Sequence, residues 1–144
     1  MTLSKLREMT HIYARDTNSY MFPDDDIDMF LNQAIDVLRQ YPVFRSMKYL
    51  QDGDDEPELL PSYYHYMLAL FASSRCYDID ERFYEGVEKR NEFESLLDDL
   101  IAEVQAGNIT ICDKDGNIVE DTANYIDAVA DVYFKGGVRD ETIL

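Results

Sequence analysis

Glu85 and Glu88 make a Glu-x-x-Glu pair in a stretch of helical character. Two carboxylates three residues apart share a helical face and could hold a hard cation together, as in the magnesium sites of all-helical nucleotide pyrophosphatases. Such a site needs a second acidic pair on a facing helix. The natural facing segment, residues 62–77, has no carboxylate, and Lys89 stands at i+4 from Glu85 as a surface partner. A solvated face accounts for the pair better than a magnesium site does.

His65 and Cys76 raise the possibility of a Cys–His nucleophile. Eleven residues along one helix would separate them by roughly 16 Å, far beyond hydrogen-bond reach. The other histidine, His11, belongs to a different segment. Asp113-x-Asp115-x-Asn117 begins like a calcium-binding loop, yet Ile118 stands where glycine is required and Asn124 where the bidentate glutamate is required. A turn between two extended segments explains those residues without a metal. Asp24, Asp25, Asp26 and Asp28 could also attract a cation, but carboxylates at a helix start already favour the positive end of the helix dipole. No catalytic residue, cofactor-binding residue or metal ligand is assigned, and no cofactor is expected.

The elements around these residues read mostly as helices. Leu3, Leu6, Met9 or Thr10, and Tyr13 predict a first amphipathic helix over residues 3–15. Asp24 is the expected N-cap of a second, with Ile27, Phe30, Leu31, Ala34 and Leu38 on its inner face and Tyr41-Pro42 at its end. Residues 43–60 have no clear period, and Gln51 to Glu58 reads as an acidic loop with nothing apolar to hold it. From Tyr63 to Ala72 the chain is apolar almost all round, which predicts a helix enclosed by protein. Tyr77 to Asp80 then links to a long charged helix ending near Ala106, with Phe93, Leu96, Leu97, Leu100, Ile101 and Val104 as its stripe. Gly107-Asn108 stops it. Ile109 to Val119 predicts a β-hairpin turning at Gly116, and Tyr125 to Tyr133 a short further helix. The expected fold is all-α: a small bundle of about four helices with a long fourth, then a short hairpin and a C-terminal arm. Residues 1–106 form the bundle domain and 107–144 the hairpin and arm.

The chain of 144 residues is 46% hydrophobic, enough for one core. Thirty acids against 13 bases give a net charge of −17, which argues against grasping nucleic acid. The acidity suits solubility, or a surface past which DNA slides without sticking. Cys76 and Cys112 have neither CxxC nor zinc spacing, and an apolar leader or span is absent, so an intracellular origin is expected. Eleven tyrosines without a tryptophan, with Tyr63, Tyr64 and Tyr66 clustered, favour an interaction protein over an enzyme.

Taken in order, FPDDDIDMFLNQAIDVLRQYP, the small-residue-rich YYHYMLALFASSRCYDID, ERFYEGVEKRNEFE and the ending LLDDLIAEV resemble the head-to-tail connector (adaptor) proteins of tailed bacteriophages over residues 1–106. The resemblance implies a structural virion protein, not an enzyme, that forms a homo-oligomeric ring, commonly dodecameric, below the portal protein. Such a ring extends the DNA channel without binding DNA specifically and offers a platform to the next neck or tail protein. It implies a place in the virion neck after assembly in the host cytoplasm, with no membrane partner. Residues 107–144 fall outside the resemblance. Their apolar side chains have no evident place in a four-helix core, so Ile109, Ile111, Ile118, Val119, Ile126, Val129, Tyr133 and Phe134 are the expected assembly contacts. The rivals are a free acidic helical binding or inhibitory protein that mimics DNA charge, and a helical metal-dependent nucleotide hydrolase. Far-UV circular dichroism should be dominated by helix; a strand-dominated spectrum would overturn the bundle.

Overall fold

A computed structural model of the chain describes residues 1–16 and 21–119. Among them lie four α-helices: α1 (Leu3–Tyr13), α2 (Asp24–Leu38), α3 (Tyr66–Ile79) and α4 (Phe83–Gln105). Single 3-10 turns occupy Pro42–Phe44 and Ser62–Tyr64. The described residues are mostly helical and contain no strand beyond one isolated antiparallel bridge, Cys112 to Ile118.

α3 is the axis of the bundle. Its side chains from Met67 to Leu70, from Ala72 to Ser74, and at Cys76 and Tyr77 are buried, and α1, α2 and α4 all pack against it. Its serines sit in this core without harm because each hydroxyl donates to its own helix: Ser73 Oγ to the Leu70 carbonyl at 2.8 Å and Ser74 Oγ to that of Phe71 at 2.6 Å. α4 lies along α3 with Phe93, Leu97, Leu100 and Val104 buried and Leu96 and Ile101 half-buried. The Phe71 and Phe93 rings meet at 5.1 Å between centroids. Gly86 lets the two helices approach closely. A β-carbon there would meet the Ser74 carbonyl oxygen at 3.2 Å and run into the Asp78 carboxylate.

Several boundaries differ from those the sequence predicts. Pro23, not Asp24, stands at the N-cap of α2, with no side-chain cap, and Asp24 to Asp26 form the first turn. α2 ends at Leu38 rather than Tyr41. α3 runs on to Ile79, through residues expected to link it to α4. Glu81 closes α3 in the left-handed conformation, φ 60°, while the Arg82 N–H reaches the Tyr77 carbonyl and the Glu81 N–H that of Asp78. This is the helix stop that glycine usually provides. Gly107, φ 81°, does the same for α4, and Arg15, φ 56°, for α1.

Residues 50–60 are not a loose loop. They form a strap tied to α1 and α2: the Leu3 N–H donates to the Asp55 carbonyl at 2.7 Å and the Ser4 N–H to that of Gly53 at 3.0 Å. The Asn32 amide clasps both backbone groups of Leu50. The reading that Gln51 to Glu58 has nothing to hold it is corrected by these bonds and by the burial of Pro57.

Leu68→Ala should lower stability by about 2–5 kcal/mol in urea denaturation, since its side chain is fully enclosed. Gly86→Ala should lower the melting temperature despite alanine's better helix propensity, because of the Ser74 contact. Glu81→Gly should raise stability by on the order of 1 kcal/mol by removing the left-handed strain.

Candidate functional site

The groups proposed from sequence for chemistry are occupied structurally. Glu85 pairs with Arg82 at 2.8 Å, not with Lys89, which turns to Glu92 at 3.7 Å. Hydrogen bonding from its own backbone N–H, then from Arg82, holds the Glu85 carboxyl below its usual range. Glu88 is exposed. Asp28 is taken by Arg7 in a two-pronged pair, Nε to Oδ1 and Nη2 to Oδ2 both at 2.7 Å, which joins α1 to α2. Asp113 Oδ1 accepts the backbone N–H groups of Asp115 and Asn117, each at 2.9 Å, and so organises its turn without a cation. Among the described residues there is no cluster of His, Cys, Asp and Glu able to hold a metal ion.

Cys76 is buried in the core, where desolvation pushes its thiol up to about 12. A thiol so rarely ionised near neutral pH is a poor nucleophile. His65, at the opposite end of α3, is buried and bound to backbone. Its Nε2 lies 2.7 Å from the Leu60 carbonyl and its Nδ1 2.8 Å from the Met1 nitrogen. His11 Nδ1 lies 3.1 Å from Asp16 Oδ2, and the same carboxylate accepts the N–H groups of Met21 and Phe22. The two histidines brace different ends of the bundle.

Two surface features remain. Next to the strap is an open cleft of about 780 Å³, lined by Arg39, Lys48 and the carboxylates of Asp52, Asp54, Asp55, Glu56 and Glu58. Asp55 is not spare acid, because its carboxylate accepts the backbone N–H groups of Asp52 and Gln51, which hold it below the usual range. The other feature is the corner between α3 and α4, where Ile79, Phe83, Tyr84 and Val87 are 55%, 60%, 75% and 47% exposed. The left-handed Glu81 turns the chain there, and Arg82 lies over the Tyr77 ring at 5.0 Å. Sequence reasoning passed over this corner although a signal existed. Val87 and Tyr84 fall roughly 120° and 180° round the helix from Phe93, off the stripe that α4 buries.

The expected assembly contacts divide. Ile118 is 63% exposed, whereas Ile109 and Val119 are half-buried against the core of their own chain. Ile111 is buried within that core, so the view that the apolar residues after Gly107 lack a place in the bundle is corrected there. Ile126, Val129, Tyr133 and Phe134, with the short helix expected around them, lie outside the described residues. Of the clustered tyrosines, Tyr63 is 74% exposed and packs edge-on against buried Tyr64 at 5.2 Å. No helix among the described residues is long and apolar enough to cross a membrane.

No family model, no curated protein and no solved structure matches the chain. Function must therefore be argued from surface and chemistry. Glu85→Gln and Glu88→Gln should each leave the melting temperature unchanged, with or without millimolar magnesium. A magnesium-induced rise in melting temperature, abolished by either substitution, would restore the hydrolase reading.

Proposed function

We propose that this chain is a structural subunit of the tailed-phage head-to-tail connector kind, working by contact with copies of itself and with portal. The observation that carries the proposal is the pairing of a fully used interior with an exposed apolar corner. The four helices spend their stripes on one another, yet Ile79, Phe83, Tyr84 and Val87 stand in solvent together. Exposed apolar groups of this size, gathered in one place, mark contact surfaces.

In this reading the subunits form a ring below the portal, and the ring extends the DNA channel toward the next neck or tail protein. Ring contacts are head-to-tail, joining two different patches of the same surface. The net charge of −17 suits a passage through which DNA moves without adhering. Residues 107–119 form a turn seated on the bundle through Ile111, and contact with a neighbouring subunit or the portal is assigned to residues 120–144. Assembly takes place in the host cytoplasm and the ring resides in the virion neck.

Electron microscopy of the full chain mixed with its portal should show added ring density; a chain that stays monomeric and leaves portal bare sinks the proposal. Because Ile111 is buried in the core, the informative truncation leaves residues 107–119 in place. A chain ending at Val119 should stay helical and melt cooperatively but fail to build rings. Full-length Phe83→Asp should fold normally and assemble poorly. Should both assemble like the unaltered chain, neither the arm nor the corner makes the ring contacts.

A further inference from the structure

We propose that His65 is a pH-dependent latch that holds the strap, residues 50–60, against the N-terminal ends of α1 and α3. The geometry fixes its protonation state. A carbonyl oxygen only accepts, so Nε2 carries the proton that bonds Leu60 at 2.7 Å. Nδ1 is then the unprotonated nitrogen, and its lone pair accepts an N–H from Met1 at 2.8 Å. An amide N–H and an ammonium N–H at Met1 impose the same requirement. The ring is 3% exposed, so it cannot rotate into solvent when a proton arrives.

A proton added at Nδ1 turns that acceptor into a donor facing another donor, and puts a cation where water is excluded. The Met1 contact must then break. Glu56, whose Oε1 accepts from the same Met1 nitrogen at 2.8 Å, loses its place with it. The charged groups that act on His65 are the Met1 amino group and Glu56; no charged side chain of α3 or α4 is among them. Burial is the largest influence and lowers the ring's proton affinity, the Met1 amino group lowers it further, and the Leu60 bond and Glu56 oppose both. Glu56 itself stays ionised across the relevant range, because the Met1 amino group holds its carboxyl below the usual value.

The direction of the effect follows. A histidine whose affinity for protons is lowered by folding favours the folded state as the neutral form. The latch is closed above the ordinary histidine range near pH 6.5 and weakens as pH falls from there through the lowered value. The Asn32 clasp on Leu50 contains no titrating group, so the strap stays anchored there as well as at Leu60 and loosens between the two. The pins lost are those closest to Met1: the Leu3 bond to Asp55 and the Ser4 bond to Gly53. The Leu60 bond survives, since Nε2 keeps its proton, so opening is confined to the middle of the strap and uncovers Leu3, buried in the closed form.

The test uses the full chain with Met1 retained. NMR titration of the assigned ring Cε1–Hε1 signals follows His65 apart from His11, and hydrogen exchange of the Leu3 and Ser4 amides is compared at pH 7.5 and 5.0 after correction for intrinsic rates. His65 should titrate below 6.5. Protection at Leu3 and Ser4 should fall as it does so, by up to roughly ten-fold for each unit of lowering, while Leu68 and Leu100 in the core keep theirs. His65→Gln, whose amide can still donate to Leu60 and accept from Met1, should show no such dependence. The proposal is overturned if His65 titrates at or above 6.5, if Leu3 and Ser4 stay protected through its titration, or if His65→Gln loses protection over the same pH range. Should that variant fail to fold, the titration and exchange of the unaltered chain decide the matter by themselves. None of these readouts depends on ring formation or on portal.

Discussion

A helix apolar on every side cannot stand at a surface, and α3 imposes that condition on the whole chain. Its burial requires cover from three directions, which α1, α2 and α4 supply. Small residues set how closely they approach. Ala69, Ala72, Ser73, Ser74 and Cys76 keep α3 slender, and Gly86 removes the one β-carbon of α4 that would strike it. Serines are admitted to this interior because their hydroxyls turn back onto α3 itself. The core specifies the arrangement of helices chiefly by shape, with the Tyr77 hydroxyl donating to the Tyr13 carbonyl at 2.8 Å where α3 meets the end of α1.

Charge is arranged around that core with economy of cations. With 30 acids and 13 bases, like charges repel over most of the surface. Several bases are placed at joints. Arg7 joins α1 to α2 through Asp28, Arg90 joins α4 to α3 through Asp78, and Arg82 spans the corner from Tyr77 to Glu85. Lys89 lies over the Tyr13 ring at 5.4 Å, between α4 and the end of α1. Each such contact is modest because it is partly exposed. Their placement at seams matters more than their number, since a cation between two elements relieves the repulsion that would otherwise part them.

Helix α4 was legible because its apolar stripe is periodic and long, and α3 because a run apolar on every side marks an enclosed helix. Their ends were less so. Arg15 and Glu81 stop helices in a conformation associated with glycine, and nothing in their side chains announces it. The strap was illegible for a related reason: its pins to α1 join backbone groups, which no sequence pattern encodes. Asn32 offered a faint clue, as a residue of poor helical preference inside an otherwise good helix. Its amide turns out to clasp Leu50. Periodicity also misplaced Ile111, because a chain that has left its last helix can still return one side chain to the core. Of the chemical candidates, spacing alone rightly kept His65 and Cys76 apart, while the exposed corner went unseen because attention followed the buried stripe of α4.

The same distribution of apolar groups limits how copies of this chain could meet. With the buried stripe of α4 committed inward and Ile111 in the core, the exposed apolar side chains of the described surface are the four of the α3–α4 corner and, elsewhere, Ile12, Met21, Met29, Tyr49, Tyr63 and Ile118. All of them sit on a chain carrying −17. Two such chains repel at long range, and only apolar burial or close pairing overcomes that once they touch. Salt shortens the repulsion to about 8–10 Å at physiological strength but leaves apolar contact largely intact. In the ring we propose, association through the corner would be favoured by added salt, the opposite of what an interface built on ion pairs would show. Under that proposal the apolar character of the corner and the acidity of the chain act together: one supplies attraction at contact, and the other confines attraction to that place.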